Sequence, residues 1–422
     1  MLSKPQADII AGLSVAVVAL PLALAFGVAS GVGAAAGIAT AVVAGLLAAL
    51  FGGSRVQVSG PTGAMTVVLV PIFAQFGARA VLTVGLIAGI ILLVMAISGA
   101  AHFMRYIPIS VIEGFTVGIA LLIGLQQVPI ALGVRPDSTS VVLSAIHALR
   151  NEMNGSDPAA IAISLGSILF IMISRRVHAS IPSGILAVAI ATFITTRFHL
   201  DIPVVGDIPR SINWRGLPQM SHLPFGSLVI PAFSVAGLAA IEGLLCASVA
   251  DAMADLPPHN SHRELFGQAL ANLVTPLFGG VPATAAIART AVNVRSGAVS
   301  RLAAVSHSII LLLFIAAGAT LVAHIPLACL AGVLIATAFR MVEGQKLRTF
   351  IKETPHHGII VALTALATLF LDLVEAVLLG IFIASVLSFI QGKRQRKTHV
   401  SEVEQVEAAL DHILHPSDET VR

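Results

Sequence analysis

About fourteen stretches of apolar residues, most near twenty residues long, follow one another between residue 9 and residue 391. A bilayer core about 30 Å thick is crossed by about 20 helical residues, and backbone groups inside it must be satisfied without water. Such stretches therefore fold as membrane-crossing helices. They are expected at 9–30, 33–52, 61–76, 80–101, 109–128, 159–174, 180–197, 229–250, 264–279, 282–294, 302–323, 326–341, 356–371 and 373–391. Several are too short to cross alone, 61–76 and 282–294 above all. The composition agrees: 57% of the 422 residues are apolar and 11% charged, which excludes a water-soluble enzyme, a disordered tail protein and a nucleic-acid binder. Cys246 and Cys329 fall inside apolar stretches and read as packing residues rather than a disulfide or metal framework.

The basic residues report topology. With an even number of crossings both termini lie on one side, and the loops on that side hold 17 of the 24 Lys and Arg residues, from Lys4, Arg55 and Arg105 through Arg263, Arg295 and Arg301 to Arg422. The opposite loops hold six: Arg79, Arg135, Arg150, Arg197, Arg210 and Arg215. The positive-inside rule then puts both termini in the cytoplasm. No cleavable signal peptide is evident in the first apolar stretch, which carries Pro21. The remaining basic residue, Arg289, stands alone inside an apolar stretch.

The short stretches are in register with each other. Pro61 is expected to open one short helix and Pro282 another, 221 residues later, and the same shift carries Pro21 onto Glu242. Seven helices per half, an odd number, force the halves into opposite orientation, so the expected fold is an all-α 7+7 inverted repeat. Repeat 1 covers about 5–198 and repeat 2 about 226–391, with the polar stretch Gly133 to Asp157 inserted in the first. Two half-helices facing each other near the midplane present unpaired N–H groups and partial positive charge, which is an anion site. The segments are Val58-Ser59-Gly60-Pro61-Thr62-Gly63-Ala64-Met65 and Gly279-Gly280-Val281-Pro282-Ala283-Thr284-Ala285-Ala286-Ile287-Ala288-Arg289-Thr290. Their small residues also fit plain close packing of helices.

A charge at mid-bilayer costs at least ~2.5–3 kcal/mol, so each needs a reason. Arg289, expected about two turns into the second half-helix, adds a full positive charge beside the dipoles; the alternative is a buried ion pair. Glu242, midway along the eighth stretch, is a candidate for a coupling cation or proton, or for a structural bridge to Arg289. Glu113, Asp372 and Glu375 lie near helix ends and are weaker candidates. Asp251, Asp255, His259, His262 and Arg263 cluster in a cytoplasmic loop without zinc-type spacing, so no metal and no cofactor is expected. No nucleophile elbow, phosphate-binding loop or dinucleotide fingerprint occurs in a suitable context, which argues against an enzyme.

Leu20-Pro21-Leu22-Ala23-Leu24-Ala25-Phe26, Phe51-Gly52-Gly53-Ser54-Arg55, Val58-Ser59-Gly60-Pro61-Thr62, Phe278-Gly279-Gly280-Val281-Pro282-Ala283-Thr284 and Ile287-Ala288-Arg289-Thr290-Ala291-Val292-Asn293 resemble the SulP (sulfate permease) family of anion transporters. The resemblance covers residues 5 to about 391. It implies the fold shared with uracil-type permeases: a transmembrane domain over 1–391, with a core of segments 1–4 and 8–11 and a gate of segments 5–7 and 12–14. It further implies elevator-type transport in a homodimer. By position, the implied pocket takes Leu22 and Phe26, Thr62 and Gly63, and Ala286, Ala288 and Arg289, with Glu242 at the cation-coupling position. Ala64, Thr284 and Ala285 complete the candidate site from the two half-helix segments. Ala285 stands where many bacterial relatives have Gly, and Ala35-Ala36-Gly37-Ile38 replaces an aromatic element. The short tail 392–422, basic then acidic, is expected in place of the STAS domain that most relatives carry.

The expected function is a secondary transporter of a small anion in the bacterial inner membrane: sulfate, bicarbonate or a dicarboxylate, coupled to H⁺ or Na⁺. The alternatives are a nucleobase permease of the same fold and an uncoupled anion channel or exchanger.

Overall fold

The computed structural model describes residues 4–99, 108–134, 141–150, 156–178, 181–218, 224–254, 256–342 and 355–371, and, further on, 375, 376, 379, 380, 382, 383 and 386. Asp255, Asp372, Arg105, Arg135, the basic residues from Lys346 onward, most of the fourteenth expected segment and the tail 392–422 lie outside them.

Thirteen α-helices run through the described residues. They are α1 (Lys4–Ala29), α2 (Ala34–Phe51), α3 (Gly63–Ser98), α4 (Ile109–Ala131), α5 (Val141–Arg150), α6 (Pro158–Val177), α7 (Ser183–Arg197), α8 (Phe225–Met253), α9 (Ser261–Val274), α10 (Ile287–Arg295), α11 (Arg301–Ala323), α12 (Leu327–Met341) and α13 (Pro355–Phe370). Six are long and apolar enough to cross a membrane, and five more are shorter and apolar. Ile97, Phe193, Ile230 and Leu321 point outward from these helices with most of their surface exposed, as a lipid solvent permits.

The boundaries follow the apolar stretches closely, with four differences. The stretches expected at 61–76 and 80–101 follow each other without a loop as α3, and the break expected between them is a kink at Gly77, where φ is +78°. The insertion between Gly133 and Asp157 contains α5, which buries Ser144, Ala145 and Ala148 while Leu143, Ile146 and Leu149 stay exposed. Neither Pro61 nor Pro282 opens a helix: α3 begins two residues after the first and α10 five residues after the second. The cause is that the preceding backbone is engaged elsewhere. Ser59–Gly60 (β1) and Thr284–Ala285 (β2) pair antiparallel, Ser59 opposite Ala285 and Gly60 opposite Thr284. Arg289 accordingly sits in the first turn of α10, not two turns in.

Non-helical backbone survives in a membrane only when protein satisfies it. Here side chains do so. Thr40 donates to Val281 O at 2.9 Å, and the Asn272 amide accepts from Ala283 N and donates to Ala283 O, both at 2.9 Å. Val58 N donates to Thr290 Oγ1 at 3.0 Å, and Asn293 Nδ2 donates to Val56 O at 2.8 Å.

Two packing groups result. In one, α1 packs on α2 and α11, α2 on α9 and α11, and α3 on α8 and α9; in the other, α4 packs on α12 and α13, α12 on α6, and α6 on α7. Two buried carboxylates brace the first group. Asp8 Oδ1 accepts from Val299 N and Ser300 N and so ties α1 to Ser300, the residue that caps α11 by accepting from Leu302 N. Glu264, in the first turn of α9, takes four donors: Gly53 N (2.9 Å) and Ser54 N (3.0 Å) on Oε2, and Gln57 Nε2 (2.7 Å) and Gln268 Nε2 (3.0 Å) on Oε1. Gln268 Nε2 reaches on to Ser59 Oγ at 2.8 Å, so α9 fixes the approach to β1.

A buried donor left unpaired costs about 1–3 kcal/mol. Glu264→Ala strands several at once and is expected to destabilise the protein by at least ~3 kcal/mol. Thermal unfolding in detergent checks this: a midpoint within a degree of wild type would dismiss the brace.

Candidate functional site

The strand pair brings the two broken helices together. Beyond β1 the chain enters α3 through Thr62, which caps it by accepting from Met65 N at 3.3 Å. Beyond β2 it enters α10 through Ala286, whose N–H donates to Val58 O at 2.9 Å across the pair. Each short strand thus leads directly into a helix amino terminus, the positive end of the peptide dipole.

Arg289 lies between them. Its side chain is 2% exposed, and Nη2 donates to Pro61 O at 2.6 Å, the carbonyl just ahead of the α3 cap. Nη1 is equally buried and has no partner. That atom lies against Gly60, where φ is +154° and an added Cβ would come within 2.6 Å of Nη1 and 3.3 Å of Ala41 Cα. Only glycine leaves room for the guanidinium there. An arginine in the first turn of a helix meets the wrong end of the dipole, an unfavourable term of roughly 0.3–1 kcal/mol before burial is counted. With a buried N–H left open, the electrostatics call for a negative group.

Glu242 of α8 does not supply it by contact. Its Oε2 accepts from Thr62 Oγ1 at 3.2 Å, and among the described residues no ion pair within 4.0 Å joins it to Arg289. The bridge weighed as an alternative reading of these two charges is therefore not the arrangement seen. Instead they hold adjacent residues of one segment, Arg289 through the Pro61 carbonyl and Glu242 through the Thr62 hydroxyl.

The other candidates fall around this centre. Phe26 is buried, and its Cε1 lies 3.2 Å from where a Cβ on Gly63 would stand; Ile123 closes the same spot still more tightly. Leu22 is half-buried on α1. Ala64 is buried in the first turn of α3. Thr284 and Ala285 are buried in β2, and Thr284 Oγ1 contacts Ala239 O of α8 at 3.4 Å. Ala286 is half-buried, whereas Ala288 is exposed beside exposed Ile287. Helical geometry turns Ala288 away from Arg289, Thr290 and Asn293, which are all buried.

Of the loop cluster, Asp251 and His259 pair at 2.6 Å, and Ser261 Oγ lies 3.2 Å from His259 Nε2. Glu375 is exposed. Sequence reading passed over Asp8, Glu264, Gln268, Asn272 and Asn293, the residues that hold the strand segments. A signal existed: Glu264, Gln268 and Asn272 recur every fourth residue, and so do Arg289 and Asn293, a polar stripe in apolar company.

A helical bundle that exposes apolar side chains and buries broken helices around an unpaired cation has the architecture of a membrane transporter rather than an enzyme. The sulfate permease family matches residues 6–365, and the chain belongs to it. The putative sulfate transporter YvdB of Bacillus subtilis is 34% identical over 96% of this chain and 77% of its own. The bicarbonate transporter BicA of Picosynechococcus is 33% identical over 97% of this chain and 74% of its own. Among solved structures, the transmembrane domain of a cyanobacterial BicA superposes with a TM-score of 0.79 at 30% identity, covering 91% of this chain and 98% of that one. SLC26A9 shares the fold, with a TM-score of 0.80 at 18% identity over 91% of this chain and 65% of that one.

Gly60→Ala is expected to push the Arg289 guanidinium aside and reduce transport at least tenfold, which corresponds to about 1.4 kcal/mol. Gly124→Ala, at a helical glycine with open space around it, is the matched control. Equal rates for the two variants at equal expression would remove the tight fit at Gly60 from the site.

Proposed function

We propose that the protein is a secondary transporter of a small anion of the sulfate, bicarbonate or dicarboxylate class. The single observation that carries this reading is the buried guanidinium of Arg289, one N–H group unpaired, set in the first turn of α10 beside the strand pair. Dipole ends and a fixed cation attract negative charge without demanding a particular shape. The names of the relatives, sulfate and bicarbonate transporters, fall in the same substrate class. The nucleobase reading is not favoured, since the family match leads to anion transporters.

Leu22, Phe26, Thr62, Gly63, Ala64, Thr284, Ala285, Ala286 and Arg289 form the anion pocket in this reading, with Ala288 on the exposed face of α10 outside it, and Glu242 couples the pocket to H⁺ or Na⁺. Its hydrogen bond to Thr62 supports the coupling role, because a cation or proton arriving at Glu242 acts directly on the residue that caps α3. The 7+7 inverted repeat is supported by element starts: α8 begins 221 residues after α1, α10 begins 224 after α3, and α13 begins 197 after α6. The drop in the last interval matches the insertion that contains α5. The packing group of α1–α3 and α8–α11 serves as core and the group of α4, α6, α7, α12 and α13 as gate. The core slides against the gate as an elevator, within a homodimer in the bacterial inner membrane, and both termini are cytoplasmic.

Reconstituted protein tested with radiolabelled sulfate, bicarbonate, chloride and a dicarboxylate, at two pH values with and without Na⁺, defines the substrate. Arg289→Ala is expected to weaken anion binding tenfold or more, and unchanged affinity in folded protein would overturn the assignment of the site. Glu242→Gln is expected to abolish the pH or Na⁺ dependence of uptake; dependence equal to wild type would reject coupling at that residue. Counterflow separates a carrier from a channel, because trans-stimulation requires a site that alternates.

A further inference from the structure

A cavity of about 260 Å³ lies between the first turns of α2 and the connection that runs from α7 to α8. Ala35, Ile38 and Ile315 give it an apolar wall; Ser211, Asn213 and Arg215 give it a polar one. Arg215 is the one charged residue in the lining. The connection that carries it is tied at both ends. Val205 N and Gly206 N donate to Ile325 O (2.9 Å) and Ala323 O (3.0 Å), and Arg215 N donates to Leu277 O at 2.7 Å. Trp214 meets Phe278 edge to face at 5.3 Å.

These contacts place the Arg215 side chain over Gly279. A Cβ there would lie 3.0–3.2 Å from its Cδ, Nε and Cζ, and Gly279 has φ +75°, a conformation natural to glycine. The guanidinium is exposed and makes no hydrogen bond or ion pair among the described residues. Its position is set by backbone and aromatic contacts while its charge is left free.

The cavity and the central site share α2. Ala36 and Ala39 line the cavity, Thr40 bonds Val281 O, and Ala41 borders Gly60 beside Arg289. At 1.5 Å per residue, Ala36 and Ala41 are about 7.5 Å apart along the helix.

We propose that this cavity is an outer antechamber, in which Arg215 gathers the transported anion, a small oxyanion or carboxylate, before it reaches Arg289. The proposal rests on the anion-transport reading and on the α7–α8 connection facing the outside. Attraction by an exposed cation raises the rate of capture and is screened by salt, so it acts on KM more than on kcat.

Cysteine replacement with impermeant thiol reagents tests this. Both native cysteines are buried, so labelling is confined to the introduced site, with wild type as control. Arg215→Cys in intact cells or oriented vesicles is expected to raise the KM for uptake three- to tenfold at low ionic strength, with kcat within twofold, and the difference should shrink at high salt. A cationic methanethiosulfonate added outside should restore the KM, and an anionic one should raise it further. An unchanged KM, or the same effect from both reagents, overturns the antechamber. If Arg215→Cys fails to fold, Arg215→Lys against Arg215→Gln gives the same comparison, with lysine expected to keep the KM and glutamine to raise it. Wild-type protein that carries none of the anions overturns the transport reading, whereas transport with no response at position 215 overturns the antechamber alone.

Discussion

The hydrogen bond from Arg289 to the carbonyl of Pro61 joins two helices that both stop inside the protein. Stopping there leaves backbone groups that a membrane cannot satisfy, so everything around them serves to satisfy those groups. The strands bond each other; Thr290 and Asn293 of α10 bond the segment ahead of α3; Thr40 and Asn272 bond the segment ahead of α10. Among the buried polar atoms that keep no partner, Arg289 Nη1 is the cationic donor that lies between the two helix ends.

The carboxylates divide by role in the same way. Asp8 and Glu264 are saturated by donors and act as braces. Glu242 is half-buried with one hydroxyl contact, which leaves it capacity for a further partner. Buried acids with full donor sets are structural, and the incompletely satisfied one is the natural place for chemistry to enter.

Much of this was legible in the sequence, because the membrane makes segment length and apolarity nearly sufficient to locate helices. The expected stretches at 33–52, 302–323 and 326–341 agree with α2, α11 and α12 to within a residue or two. Arg289 and Glu242 stood out because a lone charge in an apolar stretch is costly. The start of α10 was not legible, since nothing in Ala283-Thr284-Ala285-Ala286 signals that these residues will pair with Ser59 and Gly60 from the other half of the chain. Small residues suit helix and strand alike, and long-range pairing decided between them. The break near residue 77 was legible, since Gln75, Gly77 and Arg79 interrupt the apolar run between 61–76 and 80–101, and the kink at Gly77 falls in that gap. Glu264 was passed over for lying at the edge of its segment, where solvation is the ordinary expectation.

The strand pair has a consequence for biogenesis. Gly60 and Thr284 come from positions 224 residues apart, so the carbonyls of Val56, Val58 and Pro61 emerge from the ribosome long before Asn293, Ala286 and Arg289 exist to receive them. At about 5–20 residues per second, that wait lasts on the order of 10–45 s. Through this interval the first half needs substitute partners, from water, lipid headgroups or the insertion machinery, and the arrival of α10 releases them.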